Sequence, residues 1–142
     1  MKILLAVDGS KPALDAVDLL VKHAGLLRAK PQIDLVTVHL PVPKLPRMGM
    51  AVGKDQITRY YQEEGEANLA AAKKRLDAAG LTYEPHILVG PIAETIVKHA
   101  TDAGCELICI GSHGRSELGK AMLGSVATKV LHLSPLPLLL VK

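Results

Sequence analysis

Short apolar runs alternate along this chain with segments whose apolar positions recur every three or four residues. Ile3-Leu4-Leu5-Ala6-Val7 predicts a first strand over residues 2–7. Ser10 is placed to cap a helix with Pro12 in its first turn. Ala13, Ala16, Val17, Leu20 and Ala24 then mark one helical face running to about residue 27. A second strand is expected over 33–40, followed by a Pro- and Gly-broken loop over 41–54. A long helix over about 55–79 stops at Gly80, and Tyr83–Val89 reads as a third strand. Gly90-Pro91 opens a third helix ending near Gly104. Residues 106–110 form a fourth strand, Ser125–Leu133 a fourth helix and Leu138–Val141 a last strand.

Strict strand–helix alternation with near-continuous apolar strands predicts an α/β domain, a doubly wound five-stranded parallel sheet with helices on both faces. Nothing in residues 1–142 suggests a repeat or a linker, so one domain is expected. Such sheets take ligands beyond the carboxyl ends of the strands, where strand order reverses. If strands one and four flank that point, Val7-Asp8-Gly9-Ser10 faces Gly111-Ser112-His113-Gly114 across one crevice.

The second of these turns opens the spacing G-x-x-G-x₉-G-S, formed by Gly111, Gly114, Gly124 and Ser125. Glycines let bare amides approach an anion, and a helix N-terminus adds unpaired N–H groups and a favourable dipole. Gly111 and Gly114 would fold the loop and present amides. Gly124 would let phosphate reach the fourth helix, with Ser125, Val126 and Ala127 as donors. Arg115 and Lys120 could balance phosphate charge, and His113 could contact sugar or phosphate. Asp8 could accept from a base or ribose or serve only as a turn residue. Leu40 would either border a base pocket or belong to the core.

Composition narrows the partners. The charge balance, 17 basic against 14 acidic residues, includes no basic face or arm of the kind a nucleic-acid binder presents. With no Phe or Trp and three Tyr, stacking platforms for single strands are few. Neither nucleic acid nor membrane is therefore expected as a partner. The first apolar run, five residues before Asp8, is too short for a signal peptide or a span, so a cytoplasmic protein is expected. Cys105 and Cys109 fall in one predicted strand at even spacing, which would turn both to the same face as buried thiols. The six histidines are scattered along the chain and read as structural or solvated groups, with no metal-spaced pair.

Several enzyme signatures fail. Gly114-Arg115-Ser116-Glu117-Leu118-Gly119-Lys120 imitates a P-loop, but Ala121 replaces the magnesium-binding hydroxyl and the motif starts too late after the strand. Asp8 lacks the second acid two residues on that a phosphohydrolase needs; Ser10 stands there. No nucleophile elbow or GxGxxG fingerprint occurs.

Over its full length the chain resembles the universal stress protein family, and G-x-x-G-x₉-G-S matches the spacing of its nucleotide-binding branch. The resemblance implies a Rossmann-like sheet of the adenine nucleotide α-hydrolase type with strand order 3-2-1-4-5. It implies ATP or AMP, with ADP as a further candidate and Mg2+ accompanying a triphosphate. Ala6, Val7, Asp8 and Leu40 would surround the nucleoside, with Gly9 and Ser10 in the same turn. Gly111, Ser112, His113, Gly114 and Arg115 would meet ribose and near phosphates, and Gly124, Ser125, Val126 and Ala127 the outer ones. Ala127 departs from members carrying a threonine hydroxyl, which weakens the case for triphosphate over monophosphate. The resemblance also implies a homodimer through Leu138–Val141, an apolar edge in its own right. The expected function is that of a nucleotide-dependent stress regulator, with a protein partner the sequence does not name and little or no catalysis. A slow ATPase or phosphotransferase and a nucleotide-independent dimeric module are the alternatives.

Overall fold

In the computed structural model, which describes residues 1–43, 53–114 and 122–142, strand β1 (Lys2–Ala6) leads into helix α1 (Lys11–His23). Strand β2 (Gln32–His39), helix α2 (Lys54–Ala78) and strand β3 (Tyr83–Val89) follow. The second half runs α3 (Ile92–Asp102), β4 (Leu107–Gly111), α4 (Ser125–Leu133) and β5 (Leu138–Val141). Every strand pair is parallel, and the order is β3-β2-β1-β4-β5. The doubly wound class and the strand order implied by the resemblance are both realised.

Local chemistry sets the boundaries. The Ser10 side chain accepts from the Ala13 N–H at 3.4 Å, and a proline follows in the first turn of α1. The α-helical part of this segment stops at His23, and a 3-10 turn over Ala24–Leu26 carries it to the expected end. In α2, Gly65 lets the helix settle on β3, since a β-carbon there would stand 2.5 Å from the Ile87 side chain. Pro85 sits in β3, an edge strand, where a missing N–H is tolerated.

Register aligns the rows that build the core. Leu35, Leu5, Cys109 and Leu139 lie side by side across four strands and pack, with α1 and α2, into one cluster. The next row, Val36, Ala6, Ile110 and Leu140, turns to the other face and packs with α3 and α4. Leu4, Leu5, Leu35 and Ile108 are fully buried, and each such side chain stabilises the fold by about 1.5–3 kcal/mol.

The cysteines depart from expectation. Cys105 lies ahead of β4, its N–H bonded to Ala100 O at the end of α3, and it packs on the α3–α4 side. Cys109 is inside β4 and packs on the α1–α2 side. Even spacing predicts one face only when both residues share a strand, and here the strand begins at Leu107. Both thiols are free and buried. Burial pushes Cys109 up to about 12, and burial together with the Asp34 carboxylate raises Cys105.

At the end of β4 the sheet meets α1. A β-carbon on Gly111 would stand 2.7 Å from the backbone oxygen of Pro12 and 3.0 Å from the Ala13 nitrogen. Neither atom can swing aside, so glycine is required by the packing of two backbones.

Two outcomes follow from this packing. Gly111→Ala is expected to lower stability by about 1–3 kcal/mol, the cost of overpacking, read as a lower urea midpoint; an unchanged midpoint would show that α1 yields. At pH 8 only about one Cys109 in ten thousand is thiolate, given a pKa of about 12. A disulfide reagent should therefore label neither cysteine in native protein and both in guanidinium, whereas rapid native labelling of Cys109 would contradict the burial.

Candidate functional site

The carboxyl ends of β1 and β4 are neighbours, but the chain leaves β1 for α1 on one face and passes from β4 to α4 on the other. This reversal opens a cavity of about 550 Å³. Ala6, Val36, Val38 and Ile110 give it an apolar base, and Ile92 and Ile96 of α3 extend that surface. Tyr60 and Asn68 of α2 line the other side, where the segment Leu40–Pro43 also borders it.

On the β1 side the expected residues divide. Ala6, Val7 and Asp8 line the cavity, whereas Gly9 and Ser10 stand outside it. Asp8 Oδ1 accepts the Ser10 N–H at 2.9 Å. Its Oδ2 lies 3.2 Å from where a Gly114 β-carbon would be. Asp8 therefore serves its own turn with one oxygen and faces the β4 turn with the other.

On the β4 side, Gly111, His113 and Gly114 line the cavity and Ser112 does not. Ser112 is buried behind them, its N–H donating to Val141 O and its carbonyl accepting from Gly124 N–H, both at 2.7 Å. Its hydroxyl meets His113 Nδ1 at 2.8 Å, which fixes the ring. The other ring nitrogen, His113 Nε2, is buried and has no hydrogen-bond partner among the described residues. Arg115 and Lys120 lie outside the described residues.

The N-terminus of α4 completes the lining with Gly124, Ser125, Val126 and Ala127. Gly124 is the N-cap and has no side chain to offer, and no side chain among the described residues caps the helix. The first intrahelical bond comes from the Thr128 N–H to Gly124 O at 2.9 Å. The amides of residues 125–127 therefore have no acceptor within the helix, and they face a cavity. The space a Gly124 β-carbon would take is filled differently from expectation: it lies 3.3 Å from His113 Cα and Ser112 O. This glycine makes room for the β4 turn.

Leu40 borders the cavity as expected but is largely exposed, so it forms rim and not core. Tyr61 secures this rim: its hydroxyl accepts the Val42 N–H at 2.6 Å, and its ring lies 5.9 Å from that of His39. Val38, Tyr60, Asn68, Ile92 and Ile96 are lining residues that the sequence reading missed. Asn68 had a readable signal, a polar residue on the buried stripe Gly65, Leu69, Ala72 and Leu76. Its side-chain amide reaches Thr37 Oγ1 at 3.3 Å.

No helix among the described residues is long and apolar enough to cross a membrane. The universal stress protein family model matches residues 1–142. Universal stress protein YxiE of Bacillus subtilis is 32% identical over 149 aligned positions, spanning 99% of this chain and 98% of the relative. Universal stress protein MJ0577 of Methanocaldococcus jannaschii is 28% identical over 99% of this chain and 94% of its own. Its solved structure superposes with a TM-score of 0.77 at 27% identity, covering 99% and 94% of the two chains. A universal stress protein solved in complex with cAMP superposes with a TM-score of 0.67 at 27% identity, covering 100% of this chain and 97% of that one. With matches of this extent across a shared strand order, the chain belongs to the universal stress protein family.

Proposed function

We propose that the cavity binds an adenine nucleotide and that the protein acts as a nucleotide-dependent regulator, holding its ligand with little or no turnover. The observation that carries this reading is the pairing of two surfaces in one cavity. Uncapped amides at residues 125–127, beside the unpartnered His113 Nε2, offer donors to phosphate or ribose. An apolar base at Val36, Val38 and Ile110 offers a flat purine somewhere to lie. The relative solved with cAMP supports an adenine nucleotide as the ligand class. Asp8, with Oδ1 already accepting from Ser10, would use Oδ2 toward the nucleoside. Ala127 brings an amide but no hydroxyl, so an outer phosphate would rest mainly on backbone donors. Mg2+ would then arrive with a triphosphate, Asp8 being the one carboxylate among the described lining residues.

β5 would complete the assembly as a homodimer edge. The carbonyls of Pro137 and Val141 accept from Ile108 and Ser112, so the polar groups of residues 138 and 140 turn away from β4. A second copy could pair there and cover the exposed Leu131 and Leu133 nearby on the same chain. Soluble and reducing surroundings, with cytoplasm as the compartment, suit the two free buried thiols.

Calorimetry on nucleotide-free protein with ATP, ADP and AMP is expected to show saturable binding of at least one. Ser125→Asp should weaken it by at least about tenfold, roughly 1.4 kcal/mol, because a carboxylate at the helix start repels phosphate yet suits the helix itself. If none of the three binds, the reading fails. Prolonged incubation with ATP and Mg2+ should return the nucleotide largely intact, whereas many turnovers would make the protein an enzyme. Leu140→Pro, which removes an outward N–H, should convert a dimer to monomer on sizing; a retained dimer would move the interface elsewhere.

A further inference from the structure

At the opposite end of the sheet, on the α3 side, three side chains far apart in sequence converge. Asp34 of β2 is buried, at 3% exposure, in a row with Leu4 and Ile108 on one side and the exposed Glu84 of β3 on the other. His99 of α3 places Nε2 at 3.1 Å from Asp34 Oδ2, and His86 of β3 places its Nε2 at 3.7 Å from the same oxygen. The two imidazole rings lie 4.5 Å apart, tilted by 55°. His86 Nε2 is buried and has no hydrogen-bond partner among the described residues. Two histidines and a carboxylate thus present their ligand atoms within 4.8 Å of one another.

A hydrogen-bonded pair accounts for His99 and Asp34, but it leaves His86 aimed at an oxygen beyond hydrogen-bond range. A buried nitrogen left without a partner is costly. A cation shared by all three atoms would give it one. Around a tetrahedral metal with bonds of about 2.0–2.1 Å, ligand atoms stand about 3.3 Å apart. The observed 3.1 and 3.7 Å separations bracket that edge.

We infer that Asp34, His86 and His99 form a site for a divalent transition metal of the zinc class, separate from the nucleotide cavity. Two neutral imidazoles and one carboxylate suit Zn2+, Co2+ or Ni2+ and disfavour Mg2+ or Ca2+, which prefer all-oxygen shells. Lys2 supports this geometry. Its Nζ binds Asp34 Oδ1 at 3.2 Å, leaving Oδ2 as a single oriented ligand atom while moderating the affinity with its own charge. His86 and His99 retain about a fifth of their side-chain exposure, so a metal and a water as fourth ligand have a route in from solvent. Bound metal would tie β2, β3 and α3 together and secure β3, an edge strand whose strand pairing is with β2 alone among the described residues.

The test uses the untagged full chain, stripped with chelator and free of nucleotide, titrated with Co2+ and then Zn2+. The expected result is one Co2+ per chain with the visible absorption of a tetrahedral nitrogen–oxygen centre, displaced by one Zn2+. His86→Gln and His99→Gln should each weaken Zn2+ binding by at least about 100-fold, since loss of a direct ligand exceeds the 10–100-fold of an outer-shell change. Their circular dichroism and metal-free melting should match the parent. In the parent, Zn2+ should shift the ring resonances of His86 and His99 and leave that of His113 in place, a readout independent of any variant's folding. No stoichiometric binding at millimolar metal, unshifted His86 and His99 resonances, or undiminished binding by the variants would overturn the site.

Discussion

Between the end of β4 and the first turn of α1 there is no room for a side chain, and much of the molecule is arranged around that contact. A β-carbon on Gly111 would meet the Pro12 oxygen at 2.7 Å. Because the backbones touch there, the turns that follow β1 and β4 are held across from each other. Asp8 Oδ2 then lies against Gly114, and the β4 turn is fixed at its far end by the bond from Gly124 N–H to Ser112 O. That bond in turn fixes where α4 begins. The contact is a matter of excluded volume, which falls off far more steeply with distance than any charge interaction. It positions the crevice without placing a charged group inside it.

The same contact shows what a glycine pattern means physically. Gly111, Gly114 and Gly124 read as a phosphate cradle, yet each also has a neighbour within the protein: α1 for the first, Asp8 for the second, the His113 turn for the third. Close packing by itself selects glycine at these positions, and room for an anion would select the same residue. Sequence spacing therefore predicts the loop well and underdetermines the reason for it. A substitution that removes binding at Gly111 or Gly124 confounds the two demands. The exposed Ser125, with its side chain outside this packing, separates them.

Much of the fold was legible because its signals are local. Strand β3, helix α4 and strand β5 coincide with their apolar runs and their flanking Gly or Pro, and Ser10 caps α1 as its position suggests. What failed needed either a boundary or a distance. Cys105 was placed on the wrong face because it lies two residues ahead of β4, and parity counts only within a strand. Leu40 joined the rim and not the core because β2 ends at His39. The cavity's β1, β4 and α4 residues were readable from turns and motif; Val38 and Ile92 became visible only once strand order put β2 and α3 beside them. Asp34, His86 and His99 share no local pattern, and only register and α3 packing unite them.

Strand β2 links the two ends of the sheet, and its residues explain why the ends differ. Val36 and Val38 supply apolar surface at the carboxyl end, while Asp34, two residues earlier on the same face, supplies a buried carboxylate at the other. A buried carboxylate persists only with partners, and Lys2, His86 and His99 converge on it from three different elements. The cavity end differs: among the described residues no Lys or Arg lines it, and Asp8 is its one carboxylate. Neutral amide donors held by a helix start need no reorganisation to meet an anion.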